Sequence, residues 1–253
     1  MKPSYLAIAA IAVLGAAACN ADKTENTVAA DAPASTPVAV DAPKSGDWTE
    51  VVTKTDAGGF MMGNPNAKVR LIEFGSMTCP HCAAFEARAY EQLTQKYVKN
   101  GQVAFEFRNF VRDPFDVTAS LITRCGGADS FFPLTNAMYG DQVSWVQKIQ
   151  AASPEQQQAL ASMGPEQEFK AIADLAGFQK WAAARGIPEA KTNACLTDQN
   201  AVSQLVQMNN DAVTQYNVPG TPTFIINGKV VDLGTATQDE VWPTLESRIK
   251  AAL

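Results

Sequence analysis

The motif Cys79-Pro80-His81-Cys82 lies where a strand pattern gives way to a helix pattern. Residues 69–74 read VRLIEF, an almost continuously apolar stretch that predicts a buried strand. After a short link, Pro80 stands where the first turn of a helix tolerates proline. Residues 83–98 repeat apolar side chains at helical spacing, and residues 99–101 end the predicted helix. A strand, a Cys-x-x-Cys motif and a helix therefore follow one another directly.

The next two segments of the chain change the pattern twice. Residues 102–110 alternate apolar and polar side chains, which predicts a second strand. Residues 116–216 are helical in pattern, with a capping box at Ser153 and Gln156 and glycines at plausible helix ends. The sequence therefore predicts strand, helix, strand and then a large helical block.

The C-terminal segment returns to strands. Asn227-Gly228 stands between the apolar runs 223–226 and 229–231, which is the strongest short signal for a hairpin. A last helix is predicted to begin near Thr237, and Pro243 is expected to bend it or delay its start. The pieces before and after the helical block are each too small to fold alone. We therefore expect them to close into one sheet of an α/β protein, with the block inserted between them.

The first 45 residues are predicted to be a targeting segment and a tether. Residues 1–18 combine a positive start, an apolar run and small residues, as a secretory signal does. Cys19 follows directly and is expected to carry a lipid anchor; the alternative is ordinary cleavage that leaves a free thiol. Residues 19–45 contain no aromatic residue and predict a flexible tether. The mature protein is thus expected in the periplasm, held at a membrane, where disulfides persist.

The charge distribution excludes one class of partner. The formal net charge is −6, and the chain has no run of lysine or arginine. Binding to nucleic acid or to acidic lipids therefore has no electrostatic basis in this sequence.

Several readings of the Cys-x-x-Cys motif conflict with the rest of the sequence. A structural zinc site needs four ligands, but Cys125 and Cys195 are single and far apart, and His81 is the only histidine. A c-type haem motif needs histidine directly after the second cysteine, where Ala83 stands. A Cys–His hydrolase needs a histidine distant in sequence. A plain structural disulfide stays possible, but so small a loop constrains the unfolded chain little.

Redox chemistry agrees best with the position of the motif. Cys79 precedes a helix, where unpaired N–H groups and the helix dipole stabilise a thiolate. We expect His81 to add a positive charge or a donor, and Cys82, inside the helix, to be the more buried, resolving thiol. The interactions that stabilise the thiolate also stabilise the reduced pair, so the disulfide becomes an oxidant.

The order of elements, the CPHC motif and the stretch Gly220-Thr221-Pro222-Thr223 together resemble the DsbA family of thiol:disulfide oxidoreductases. The resemblance covers roughly residues 47–253 and includes GNPNAKV near residue 63 and INGK near residue 226. It implies a thioredoxin fold, formed by residues 46–112 and 217–253, with a large all-helical insertion at residues 113–216. It also implies that Cys79 is the nucleophile, that Pro222 is a cis-proline preceded by Thr221, and that no cofactor or metal is used beyond the redox-active disulfide.

The same resemblance implies roles for two acidic residues and for two further cysteines. Family members place a carboxylate beneath the motif to relay protons, a role open to Glu73 and Glu86. The alternatives are an edge-facing or salt-bridged Glu73 and a solvated Glu86. Cys125 and Cys195 are expected to form a structural disulfide, since free thiols survive poorly beside an oxidant; two separately buried thiols are the alternative.

The function implied is a dithiol oxidase that donates the Cys79–Cys82 disulfide to reduced or unfolded secreted polypeptides. A quinone-linked membrane oxidase of the DsbB type would re-oxidise it. One alternative is an isomerase or reductase kept reduced by a DsbD-like donor. A second alternative is a tethered chaperone or binding module without enzymatic activity.

Overall fold

The strands form one six-stranded mixed sheet in the computed structural model, which describes residues 40–253. Only β3 and β4 run parallel, and the strand order across the sheet is β1-β2-β4-β3-β5-β6. The strands are β1 (Val52–Lys54), β2 (Phe60–Met62), β3 (Val69–Gly75), β4 (Val103–Asn109), β5 (Thr223–Ile226) and β6 (Lys229–Val230). The predicted signal segment, Cys19 and most of the predicted tether lie outside the described residues.

Ten α-helices lie within the described residues 40–253. They are α1 (Pro80–Leu93), α2 (Pro114–Arg124), α3 (Ala128–Gly140), α4 (Gln142–Gln150), α5 (Pro154–Ala161), α6 (Pro165–Ala176), α7 (Phe178–Ala183), α8 (Glu189–Leu196), α9 (Gln199–Tyr216) and α10 (Val241–Ala252). A π-helical turn, Thr94–Val98, continues α1, and a 3-10 turn, Trp48–Glu50, precedes β1. In this part of the chain no helix combines the length and the apolar character needed to cross a membrane.

The central part of the sheet follows the sequence prediction. The strand–helix–strand unit β3–α1–β4 has parallel strands, and β5 pairs with β3 on the other side. The turn between β5 and β6 has positive φ angles at both Asn227 (48°) and Gly228 (82°). Two such residues form the type I′ turn that matches strand twist, so the predicted hairpin is confirmed.

Three elements differ from the sequence prediction. Strands β1 and β2 were not expected, because each is only three residues long and neither alternates in polarity. The last helix begins at Val241 and not near Thr237, which is the delayed start given above as one of the two expected effects of Pro243. Glu240 Oε2 accepts hydrogen bonds from the backbone N–H and hydroxyl of Thr237, which forms a turn in place of the first helical turn. Pro243, which has no N–H to donate, then lies within the first turn of the shortened helix.

The sheet and the inserted helices share one hydrophobic core. Phe131 on α3 stacks on Phe60 of β2 at 4.1 Å between ring centroids and lies 5.7 Å from Phe107 of β4. The opposite face of the sheet packs a smaller cluster, including Phe74 and Ile225, against α9. The insertion therefore covers both faces of the sheet, and its helices on the side where α1 lies help to bury the residues beneath the Cys-x-x-Cys motif.

A disulfide joins two inserted helices at a distance from that motif. Cys125, at the end of α2, is bonded to Cys195 of α8, with an S–S distance of 2.01 Å and a sequence separation of 70. This is the pairing expected from the sequence.

Candidate active site

Helix α1 places Cys79 at its N-cap position. Residue Cys79 is extended (φ −85°, ψ 117°), and Pro80 occupies the first helical position without leaving an unpaired donor. The backbone N–H groups of His81 and Cys82 lie close enough to the Cys79 sulfur to lower its pKa, although neither makes a side-chain capping hydrogen bond with it. The unpaired N–H groups in the first turn of α1 therefore point towards the Cys79 sulfur.

The loop before β5 lies directly against Cys79. The Thr221–Pro222 peptide bond is cis, as the resemblance implies. The Cys79 thiol donates a hydrogen bond of 3.2 Å to the carbonyl oxygen of Thr221. The two segments are 142 residues apart in sequence, and the pairing of β5 with β3 brings them together.

The two thiols of the motif differ in ionisation. The pKa of Cys79 falls from 9.0 to about 5, although burial opposes the change. The largest cause is a hydrogen bond from the Cys82 thiol, followed by the side chain of Thr221 and the backbone N–H groups of Cys82 and His81. Cys82 is fully buried, and burial raises its pKa well above 9.0. One sulfur is therefore a thiolate at neutral pH while its neighbour stays protonated.

The imidazole of His81 is hydrogen-bonded to the segment before α10. Its ring is exposed, and Nδ1 lies 2.7 Å from Oε1 of Gln238, while Gln238 Nε2 donates to the His81 carbonyl oxygen. The contribution of His81 to the Cys79 thiolate comes from its backbone N–H. The side chain instead ties the start of α1 to the segment before α10.

Glu73 and Glu86 lie in the interior close to the motif. Glu73 is 1% exposed, and neither of its carboxyl oxygens has a hydrogen-bond partner within residues 40–253. Burial, with smaller contributions from the charges of Glu86 and Cys79, raises the pKa of Glu73 well above 4.5. Burial raises the pKa of Glu86 to about 8. The structure therefore agrees with neither alternative. Glu73 is buried and forms no salt bridge with any residue that the structure describes, and Glu86 does not lie on a solvated helix face.

The inserted helices supply active-site contacts that sequence reasoning missed. Asp116 of α2 is fully buried and accepts hydrogen bonds from Ser76 Oγ (2.5 Å), Met77 N (2.9 Å) and Arg112 N (3.1 Å). Gln142 of α4 donates through Nε2 to the carbonyl oxygens of Met77 and Cys79. These contacts fix the link between β3 and α1.

Tyr139 of α3 completes the surroundings of Cys82. Its hydroxyl donates to the Ser76 carbonyl oxygen at 3.2 Å. Burial raises its pKa well above 10.0, with further contributions from the charges of Cys82, Glu73 and Glu86. Tyr139 thus belongs to the same buried polar cluster. Across the described residues, no group of three or more His, Cys, Asp or Glu side chains is arranged to hold a metal ion.

Comparison with known proteins agrees with this geometry. A family model described as Thioredoxin matches residues 55–246, which include both strands of the core unit, the motif and the cis-proline. The chain belongs to the thioredoxin family. The fold class predicted from the sequence, a thioredoxin fold with a helical insertion, is confirmed.

Individual relatives of this thioredoxin-family chain are disulfide-exchange proteins by name. A crystal structure of a protein-disulfide isomerase from Novosphingobium aromaticivorans is 37% identical, with a TM-score of 0.69, and the match covers 75% of this chain and 96% of that one. The structure of alpha-DsbA1 from Wolbachia pipientis shares the fold at 21% identity, with a TM-score of 0.57 and coverage of 76% and 89%. A Rickettsia prowazekii protein, provisionally named a protein-disulfide oxidoreductase, is 26% identical over 71% of this chain but 58% of its own length.

Proposed function

We propose that this chain is a thiol:disulfide oxidoreductase that acts as a dithiol oxidase on reduced or unfolded secreted polypeptides. The observation that carries the proposal is the opposite displacement of two adjacent thiol pKa values, down at Cys79 and up at Cys82. A thiolate exists only in the reduced form, so each contact that stabilises it favours reduction of the disulfide.

The size of this effect follows from the pKa of Cys79. At about pH 7, lowering a thiol pKa from 9.0 to about 5 stabilises the reduced pair by about 3 kcal/mol. For a two-electron couple this corresponds to a potential about 60 mV more oxidising. The disulfide is therefore expected to be a considerably better electron acceptor than a pair with unperturbed thiols.

The reaction begins when a substrate thiolate attacks the Cys79 sulfur. A mixed disulfide forms, the Cys79–Cys82 bond breaks, and Cys82 leaves and takes up a proton. The second substrate thiolate then attacks the substrate sulfur in the mixed disulfide, and Cys79 leaves as a stabilised thiolate. The substrate is oxidised by two electrons and the cysteine pair is reduced.

The surroundings of Cys79 suit a polypeptide substrate. Among the described residues, only the Cys79 thiol donates to the carbonyl oxygen of Thr221, so this oxygen is free to pair with an extended chain once the thiol proton is absent. Lipidation of Cys19 and a tether over residues 19–45 would hold this site near a membrane in the periplasm. A membrane oxidase of the DsbB type would then restore the disulfide.

A specific observation favours a second function. The 37% identical structure from Novosphingobium is described as a protein-disulfide isomerase. In that case this chain would work reduced, supplied with electrons by a DsbD-like donor, and Cys79 would attack incorrect disulfides.

The glutathione redox equilibrium of the Cys79–Cys82 pair tests the proposal. We expect a pair more oxidising than thioredoxin, whose potential is about −270 mV. A potential near that of thioredoxin would remove the oxidase proposal; insulin reduction and refolding of scrambled ribonuclease would then separate a reductase from an isomerase. Cys79→Ser, compared with the wild type, tests a purely binding role, because a chaperone function would persist in this variant.

A further inference from the structure

The segment between β6 and α10 is held against α1 by two side-chain contacts. Gln238 bonds to His81 in the first turn of α1, and Asp239 pairs with Arg88, two turns further along, at 2.9 Å. His81 and Arg88 are both exposed and lie seven residues apart, so they share one face of the helix. Cys82, which is fully buried, faces the interior. The segment therefore covers part of the outer face of α1 beside the motif.

A single amide group makes both contacts between Gln238 and His81. Gln238 Oε1 lies 2.7 Å from His81 Nδ1, and Gln238 Nε2 donates to the His81 carbonyl oxygen at 3.2 Å. The opposite orientation of the amide would set Gln238 Oε1 against a carbonyl oxygen, and two acceptors cannot share a hydrogen bond. The oxygen of the amide therefore faces the imidazole ring, and His81 Nδ1 must be the donor.

This contact determines the tautomer of His81. Because Nδ1 carries the proton that Gln238 accepts, the neutral ring has its free lone pair at Nε2. Protonation of the ring keeps the contact, since Nδ1 donates in the imidazolium as well. His81 is the only histidine of the chain, so its ring nitrogens can be observed without overlap from another histidine.

The same contact fixes the direction of the ring. A helical carbonyl group points towards the C-terminal end of its helix, where it accepts from an N–H four residues later. Since one amide bridges Nδ1 and the carbonyl oxygen of His81, this edge of the ring lies on the C-terminal side of residue 81. Cys79 lies on the other side, where α1 begins. Gln238 therefore draws the Nδ1 edge of the ring away from the nucleophile.

The groups that lower the pKa of Cys79 agree with this placement. They are the Cys82 thiol, Thr221 and the backbone N–H groups at the start of α1. An imidazole two residues from the nucleophile would, without the amide, be able to approach the sulfur as a hydrogen-bond donor. A donor or a positive charge beside a thiolate lowers the thiol pKa and makes the disulfide more oxidising.

We propose that Gln238 is a positioning residue that holds the His81 imidazole away from Cys79 and thereby limits the oxidising strength of the Cys79–Cys82 disulfide. The inference rests on the thiol–disulfide exchange proposed above, and it applies to an oxidase and to an isomerase alike. Gln238 touches neither sulfur. It acts through the ring, which stabilises the reduced pair once the amide releases it.

The test is the glutathione redox equilibrium of the protein without a histidine tag, compared between the wild type and Gln238→Ala. Loss of the amide frees the ring to donate to the Cys79 thiolate, so the reduced pair should be favoured by roughly three- to tenfold, the size of one net hydrogen bond. The pH midpoint for alkylation of Cys79 by iodoacetamide should fall as well. An unchanged equilibrium, or a shift towards the disulfide, would overturn the proposal.

Two further comparisons separate this role from a structural one. In a His81→Ala background, Gln238→Ala should change the equilibrium by less than about twofold, because no ring remains to be released. An equal shift with and without the imidazole would overturn the proposal. Asp239→Asn is the matched control, since it breaks the ion pair with Arg88 and loosens the same segment but keeps Gln238. It should retain the wild-type equilibrium, and a shift as large as that of Gln238→Ala would also overturn the proposal.

Nitrogen NMR spectra of the single histidine give an independent readout. In the wild type the neutral ring should be protonated at Nδ1, and in Gln238→Ala it should become a mixture of tautomers. A wild-type ring protonated at Nε2 would remove the hydrogen bond on which the proposal depends. The wild-type potential decides the oxidase proposal, whereas the role of Gln238 depends on differences between variants, so the two can fail separately.

Discussion

The hydrogen bond from Cys82 to Cys79 is the largest cause of the low Cys79 pKa, and Cys82→Ala removes it. A hydrogen bond to a charged group contributes about 1.5–3 kcal/mol, which corresponds to about 1–2 pKa units. The pKa of Cys79 should therefore rise from about 5 to about 6–7. The small space left by the sulfur opposes this rise only slightly, because it admits little water to the thiolate.

Cys82→Ser is the matched control for this prediction. Its hydroxyl fits the same buried position and keeps a donor, so the Cys79 pKa should stay close to the wild-type value. The backbone N–H groups of His81 and Cys82 are present in all three proteins. The difference between the alanine and serine variants therefore isolates the side-chain hydrogen bond.

Thiolate absorbance in the ultraviolet, measured against pH, gives the ionisation midpoint, and the pH dependence of alkylation by iodoacetamide gives it independently. In the wild type only Cys79 titrates in the accessible range, because the pKa of Cys82 lies well above 9.0. Equal midpoints in the alanine variant and the wild type would refute the assignment of this hydrogen bond as the main cause. A wild-type midpoint above about 8 would refute the whole account of thiolate stabilisation.

Three other perturbations have defined outcomes. Burial raises the pKa of Glu86 from 4.5 to about 8, so the unfolded chain binds fewer protons between these values and stability falls as pH rises through that window. The free energy of unfolding of Glu86→Gln should therefore exceed that of the wild type by up to about 3 kcal/mol at pH 7 and equal it below about pH 4. A difference in urea unfolding that does not change with pH would contradict this. Asp116→Ala removes the acceptor of the buried donors of Ser76 and Met77 and of the partly buried backbone N–H of Arg112. It should lower the free energy of unfolding by about 2–4 kcal/mol, and Asp116→Asn should lower it less. Equal urea midpoints in the wild type and the alanine variant would be inconsistent with the network. Replacing both Cys125 and Cys195 by alanine opens a 70-residue loop and should cost roughly 4 kcal/mol without moving the redox equilibrium of the active-site pair; a shifted equilibrium would show that the two disulfides are coupled.

The parts of the fold that were predictable carry strong local signals. The strand at 69–74, the proline at the start of α1 and the Asn227-Gly228 turn each have a physical preference that needs no distant contact. The juxtaposition of Cys79 with Pro222 came from the family resemblance, since nothing local relates residues so far apart. Strands β1 and β2 escaped prediction because three-residue strands have no periodicity, and only pairing with β4 defines them.

The missed site residues have a common reason. Asp116 and Gln142 are single polar residues in helices, where a solvated face is the ordinary expectation from sequence. Packing of the insertion against the sheet makes Asp116 fully buried and Gln142 nearly so. The same packing buries Glu86, for which a solvated helix face is the alternative from sequence. His81 shows the reverse case, because its side chain, prominent in the motif, bonds to Gln238 while its backbone serves the thiolate.

The insertion therefore does more than cover the sheet. Asp116 and Gln142 from two of its helices hold the loop before α1, and Tyr139 from a third closes the space around Cys82. A displacement of this loop would move the backbone N–H groups that stabilise the Cys79 thiolate, and charge stabilisation of this kind depends steeply on donor geometry. Burial of Glu73 and Glu86 beneath the motif also lowers the free energy of unfolding at neutral pH. These carboxyl groups stay buried only if the surrounding helices keep their positions. The disulfide between α2 and α8 opposes such rearrangement in the helix that carries Asp116, so a bond distant from the active site helps to keep its geometry.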